Sequence, residues 1–292
     1  MTHPALPPSF KDQPFWTVSA LEAGKITLPE KLYVTDFDPD VARKCPSLAF
    51  LLRHSVSGKT LVFDLGIRKN TAAYPPSVLK WVAECFALDV PQDVAESLRA
   101  GGLDPAAVDF VAISHLHFDH VGDPSPFTQA TFLAGAGGTA LLDDGYPGNA
   151  DSGFERDLLP RDRTLFLAPA APLGPFPGAL DYFQDGSLYI VDAPGHIPGH
   201  INLLVRVQGG GWLYLGADTC HDLRLLSGER HICVYPDGGS AHVDHKVAAE
   251  HILRVRTLRD VYGVKVILAH EYKWDEEHKD EYFPGTLKLS SA

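Results

Sequence analysis

Residues Ser114-His115-Leu116-His117-Phe118-Asp119-His120 place four potential metal ligands within six positions, directly behind the apolar run VDFVAIS at 108–114. Such density needs a structural reason. If the run is a strand that stays extended through its first histidines, His115 and His117 point to one side, because side chains alternate with a period of two. A turn then carries Asp119 and His120 round to a neighbouring position, so two adjacent metal sites result. Imidazole nitrogen and carboxylate oxygen suit zinc, with iron, manganese or cobalt as alternatives. The lack of cysteine ligands, with room left for a water, fits a catalytic rather than a structural site.

Three later runs end in the same residue types: SLYIVDAPGHIPGH in His200, GWLYLGAD in Asp218 and VKVILAH in His270. Each sits at the exit of a candidate strand, where packed sheets collect residues from distant parts of a chain into one cleft. Further strands are expected at KLYVTDF (31–37), LAFLLRH (48–54), TLVFDLG (60–66) and INLLVRV (201–207). Apolar residues at helical spacing predict helices in VPQDVAESLRAGGL and in HKVAAEHILRVRTLRDVYG. Residues 127–181, rich in Gly, Pro and Ala, read as a long irregular insertion near the site, although ATFLAG and TLFLAP could each form a short strand. The alternation predicts mixed sheets covered by helices, and no linker composition divides residues 1–292, so a single domain is expected.

Charge narrows the partners. With 37 acidic against 25 basic residues the formal net charge is −12, which repels a phosphate backbone and argues against nucleic acid. No run approaches the roughly 18 apolar residues of a spanning helix, and the first sixteen residues lack the basic start and apolar core of a secretory signal. The four cysteines form no CxxC pair, which suits a reducing compartment. A cytoplasmic protein acting on a small molecule, without membrane or nucleic-acid partners, is the expectation; nothing in the sequence sets the oligomeric state.

The sequence resembles the metallo-β-lactamase superfamily, whose HxHxDH motif is matched by His115, His117, Asp119 and His120. VFDLG at 62–66, APGHIPGH at 193–200, GAD at 216–218 and LAH at 268–270 resemble its other motifs in order and spacing over roughly residues 48–272. The resemblance implies an αββα four-layer sandwich in which His115, His117 and His200 hold one metal, Asp119, His120 and His270 the other, and Asp218 bridges. It also implies a bridging water or hydroxide as nucleophile, two Zn2+ per chain, and Asp119 as the group that carries a proton to the leaving atom.

Within the superfamily, SHLHFDHVGD and GHIPGHINLL look most like the N-acyl-homoserine lactone lactonases and related fungal lactone hydrolases and thioesterases. Those lactonases carry a tyrosine three residues after the bridging aspartate, where this chain has His221, whose imidazole can donate a hydrogen bond to substrate. The implied activity is lactone opening, with N-acyl-homoserine lactones as first candidates and thioester hydrolysis of the glyoxalase II type as runner-up. A mononuclear iron oxygenase would need fewer ligands than Asp119, His120 and His270 supply, and an inactive binding protein would have lost some of them.

The remaining candidates read otherwise. His196 is expected to support a ligand rather than to be one, His242 and His245 to lie on a solvated surface at a helix start, and His251 to carry no role. Asp64 is expected to orient a ligand histidine, and Cys220 to serve packing. Phe118, Tyr146, Tyr272 and Trp274 flank the candidate site loops and could line a substrate pocket.

Overall fold

A computed structural model describes residues 4–288. Two six-stranded sheets face each other. The first runs in the order Trp16–Leu21, Ala49–His54, Thr60–Phe63, Phe110–Ala112, Thr131–Gly135 and Thr164–Leu167. The second runs Ala171–Leu173, Phe176–Asp181, Leu188–Asp192, Ile201–Arg206, Trp212–Leu215 and Lys265–Ile267. Only residues 168–170 join the last strand of the first sheet to the first strand of the second.

The period-two alternation decides the layers. Phe50, Leu52, Leu61 and Phe63 of the first sheet meet Ile190, Leu203, Val205 and Leu215 of the second in a core between the sheets. Their neighbours Ala49, Leu51, Val62 and Val111 face the other way, against Val94 and Leu98 of the helix Val94–Ala100. Val191, Leu204 and Tyr214 likewise turn outward onto Ile252, Val255 and Leu258 of the helix His245–Tyr262. Strands apolar on both faces, flanked by amphipathic helices, give the expected αββα sandwich.

Two expectations are corrected. KLYVTDF is not a strand: Glu30–Leu32 forms a 3-10 turn, and only Val34 makes an isolated bridge, to Ile232. Its apolar residues are buried by tertiary contact, which imitates a strand signature. Residues 127–181 are not merely an irregular insertion, because they supply the edge strand and its neighbour at one side of each sheet. Most of their Gly and Pro falls between the strands, and Pro172 sits on an edge strand, where Pro is tolerated.

A smaller sheet, in the order Ala42–Pro46, Lys25–Pro29, Leu88–Asp89, lies beside the sandwich. Next to it the buried carboxylate of Glu30 accepts hydrogen bonds from Arg43 and Arg224. Burial alone would raise its pKa, but the two guanidinium groups outweigh that and hold it below the ordinary value. Ionised Glu30 therefore stabilises the fold above the unfolded-state pKa of about 4.3 and loses that contribution as pH falls through its lower folded value. Melting temperature measured against pH is expected to fall less steeply below about pH 4 in Glu30→Gln than in the wild type; parallel curves would exclude this group as a source of acid sensitivity. No helix among the described residues is long and apolar enough to cross a membrane.

Candidate metal centre

Strands of both sheets end at one edge of the sandwich. Phe110–Ala112 delivers the run from Ser114, Leu188–Asp192 the loop 193–200, Trp212–Leu215 the turn with Asp218, and Lys265–Ile267 leads to His270. A hydrogen bond from the Ile201 amide to the Ser114 carbonyl, 2.8 Å, ties the loops of the two sheets together.

Three imidazole nitrogens converge there. His115 Nε2 and His117 Nδ1 are 3.0 Å apart, and His196 Nε2 lies 3.2 Å from the first and 3.0 Å from the second. Protons cannot satisfy such a triangle, because one bridging proton leaves the third nitrogen facing a lone pair or another proton. A metal can: ligands about 2.0–2.1 Å from a tetrahedral ion stand roughly 3.3 Å from one another. Asp218 spans the gap to a second group. Its Oδ2 is 3.4 Å from His196 Nε2, while its Oδ1 is 3.2 Å from His120 Nε2 and 3.3 Å from His270 Nε2. Asp119 Oδ2, 3.6 Å from His270 Nε2, completes the second cluster. His120 Nε2 and Asp218 Oδ1 are buried without a hydrogen-bond partner, as ligands facing an ion position should be. The donor set fits two divalent ions.

Electrostatics prepares His115, His117, His196 and Asp218 for that role, while His120 and His270 would release a proton on binding metal. Burial, reinforced by the neighbouring imidazoles His120 and His196, holds His115 well below the ordinary histidine value. Burial also lowers His117, to about 4 despite Asp119 and Asp218, and lowers His196 against the pull of Asp218. All three are neutral at pH 7, the form that binds metal. For Asp218 burial is overcome by His120, His270 and His221, which keep its carboxylate ionised. Burial is overcome in the opposite sense at His120 and His270, which Asp218 and Asp119 raise above the ordinary value.

The ring orientations are fixed from behind. His115 Nδ1 meets Ser114 Oγ at 3.0 Å, His120 Nδ1 meets Asp64 Oδ2 at 2.8 Å, and His270 Nδ1 donates to the Pro46 carbonyl at 2.8 Å. Asp64, held in a left-handed conformation at φ 62°, also accepts from the Ser114 amide and hydroxyl, so it orients His120.

His200 is not brought into the cluster, and His196 stands where it was expected. Gly195, at φ +115°, swings the chain so that His196 leads into the triangle. The His200 amide bonds back to the Ile197 carbonyl, and its own carbonyl accepts from the Ala193 amide in strand fashion. Its ring centroid lies 5.0 Å from that of His115, and both its nitrogens are buried without a partner. The Gly195 turn is sterically exacting, since a Cβ there would sit 2.2 Å from the Ala248 amide nitrogen. Gly195→Ala is expected to lower stability by about 3 kcal/mol, a fall in Tm of roughly 5 °C, read by thermal denaturation; an unchanged Tm would contradict the packing described.

His221 reaches the cluster as expected. Its Nε2 is 3.0 Å from Asp218 Oδ2, and its ring stacks on Tyr33 at 4.5 Å. His242 overturns its surface assignment. It is 2% exposed, and its Nδ1 lies 3.3 Å from His196 Nδ1. Burial lowers it to about 3, so it is neutral. His245, by contrast, begins the helix His245–Tyr262 as expected, and His251 is buried against Tyr214 and Phe176 in the core. Cys220 is buried in the same apolar cluster, and all four cysteines are free thiols.

A cavity of about 300 Å³ opens onto the cluster. Its apolar wall comes from Leu32, Tyr33, Trp81, Phe86, Phe118 and Tyr235 among others, with no lysine or arginine. None of the lining residues comes from 127–181, which corrects the expectation that this region forms the pocket; the helix Pro76–Cys85 brings Trp81 instead. Of the four flanking aromatics, Phe118 lines this cavity. Tyr272 lines a second one, of about 260 Å³, which shares Tyr33, His221 and His270 with the first. Trp274 is in the core between the sheets, and Tyr146 lines neither cavity.

Comparison with known proteins agrees with this geometry. The family model described as the metallo-beta-lactamase superfamily matches residues 42–216. The cytochrome P450 monooxygenase mpaDE of Penicillium roqueforti is 32% identical over 259 residues, covering 77% of this chain and 30% of the relative. The chain thus spans about a third of the length of the curated relatives it matches first. The N-acyl homoserine lactonase AttM of Azorhizobium caulinodans is 30% identical over 226 residues, covering 76% of this chain and 80% of the relative. Among solved structures, a mutant of B. thuringiensis AiiA with N-decanoyl-L-homoserine bound at its active site superposes with a TM-score of 0.73 at 16% identity, covering 94% of this chain and 99% of the other. At that identity the likeness is one of fold.

Proposed function

Because the chain belongs to the metallo-β-lactamase superfamily, we propose that it is a dinuclear metal-dependent hydrolase that opens a lactone ester ring, with N-acyl-homoserine lactones as the first substrates to test and zinc as the metal. The observation that carries the proposal is the convergence of His115, His117 and His196 on one point, with Asp218 shared between them and the Asp119, His120, His270 group. The ligand set proposed here is the one expected from the sequence with His196 in the place of His200. Nitrogen and oxygen donors of this kind suit zinc, and iron, manganese or cobalt would fit the same set.

Two divalent ions bound there would activate a water at neutral pH and polarise the ester carbonyl. The chain's own residues supply the rest. Asp119 is the proton carrier, receiving a proton on the water side and returning it to the leaving oxygen. His221, its ring held on Tyr33 at the wall of the cavity and its Nε2 3.0 Å from Asp218 Oδ2, is the donor to the substrate carbonyl through Nε2–H. The apolar cavity receives the acyl chain or ring and excludes water from the reacting bond.

Its wall also bears on the runner-up. A thioesterase uses the same chemistry, but a thiol arm that carries carboxylates, as in the glyoxalase II type, would meet no fixed cation on this wall. In the second cavity Arg43 and Arg224 are already held by Glu30 and Asp222, which leaves Lys273, an exposed side chain at its rim, as the cation there.

Elemental analysis of the purified protein, with hydrolysis of a medium-chain acyl-homoserine lactone and of a thioester with and without chelator, tests the reading. About two metals per chain and chelator-sensitive lactone opening are expected; thioester turnover without lactone turnover would replace the substrate assignment, and one iron with neither activity would sink the hydrolase itself. A lactonase on these substrates would be a quorum-quenching enzyme. His221→Phe is expected to keep the metal content and to lower kcat about 10- to 100-fold. Unchanged kcat in that variant would remove His221 from substrate contact.

A further inference from the structure

Three of the imidazoles that face the metal positions are held from behind by oxygen: Ser114 Oγ at His115, Asp64 Oδ2 at His120 and the Pro46 carbonyl at His270. His196 is different. Its rear nitrogen meets another imidazole, His242, with the two Nδ1 atoms 3.3 Å apart, ring centroids 5.0 Å apart and planes at 74°. Both rings are 2% exposed.

The surrounding backbone shows that this contact is built in. The Val243 amide donates to the His196 carbonyl at 2.8 Å, and the Asp244 amide to the Gly195 carbonyl at 2.9 Å. Asp244 then caps the helix His245–Tyr262 by accepting from the Lys246 and Val247 amides, and the bare Cα of Gly195 rests on Ala248 of that helix. The helix start and the loop that carries His196 are thereby one packed unit, with the His242 ring inserted behind the ligand. Proton counting fixes the polarity of the pair. If His196 presents the Nε2 lone pair to a metal, its Nδ1 carries the proton and donates, so the His242 Nδ1 must accept and the His242 proton lies on Nε2.

We propose that His242 is a positioning residue that fixes the tautomer and ring orientation of His196 and so sets the metal affinity of the position formed by His115, His117 and His196. The inference rests on the reading of His196 as a ligand. Nothing in its role requires contact with substrate.

The test is zinc binding to the chelator-stripped full chain, measured by competition with a chromophoric chelator, together with the absorption spectrum of the Co2+ form. His242→Asn keeps an acceptor oxygen that can reach the place of Nδ1, whereas His242→Phe fills the space without one; His242→Leu replaces the phenylalanine should that variant fail to fold. Loss of the acceptor is expected to weaken one of the two metal positions about 10- to 100-fold and to alter the Co2+ spectrum, and asparagine to restore both to within about threefold. Wild-type zinc affinity in the phenylalanine or leucine variant, or an asparagine variant no better than these, overturns the role of His242. A wild-type chain that binds no zinc at all overturns the metal reading beneath it, a result distinct from either.

Discussion

Asp218→Ala is expected to give a folded protein that holds about one metal or none and hydrolyses its lactone at least about a thousandfold more slowly than the wild type. The carboxylate reaches both clusters, Oδ2 toward His196 and Oδ1 toward His120 and His270. On the proposed reading its removal would deprive each metal position of an anionic ligand and the pair of its bridge. The metal-free protein should suffer too. His120 and His270 are raised above the ordinary histidine value by Asp218 and Asp119, and without Asp218 they must shed a proton or sit buried with less counter-charge, a loss of about 3 kcal/mol. Metal content, steady-state rate and the melting temperature of the stripped protein check the three parts separately. A fully metallated and active variant would show that the bridge is not where the geometry puts it.

A matched pair of substitutions separates the two histidines of the loop 193–200. His196→Ala removes one corner of the nitrogen triangle, so metal affinity should drop by more than the roughly 10- to 100-fold that loss of a supporting partner produces, and activity should fall with it. His200→Ala removes a buried ring whose nitrogens have no partner; it should reduce stability by about 2 kcal/mol through the void it leaves, with metal content unchanged. The opposite pattern, metal lost with His200 and kept with His196, would restore the assignment that the linear sequence first suggested.

Why that first assignment went to His200 shows what a sequence can carry. The histidine run 115–120, the apolar strands behind Asp218 and His270, and the helix His245–Tyr262 were all legible, because each is a local pattern of period two, period 3.6 or dense ligand types. Asp64 as an orienting group was legible as a carboxylate at a strand end. The choice between two histidines four residues apart depends on the dihedral angles of Gly195, which no periodicity records.

His242 was misread for a related reason. Asp244 announces a helix start correctly, but the burial of the residue two before it comes from packing against residues 195–196, far away in sequence. The strands Thr131–Gly135 and Thr164–Leu167 were visible as short apolar runs, yet their place in the first sheet depends on partners that local sequence does not name. The strand wrongly assigned at 31–37 is the converse case, apolar residues buried by a neighbour rather than by a ladder.

The three-residue link at 168–170 gives the sandwich a spine. Along that side the outermost strands of the two sheets are joined covalently, so any breathing of the sheets apart must swing about it like the covers of a book. The proposed ligands are divided between the covers: His115, His117, Asp119 and His120 follow a strand of the first, and His196, Asp218 and His270 follow strands of the second. A metal pair would therefore act as a clasp. Its occupancy would latch the closed book with a free energy that grows as RT ln(1 + [M]/Kd), linking mechanical closure of the fold to the supply of free metal around it.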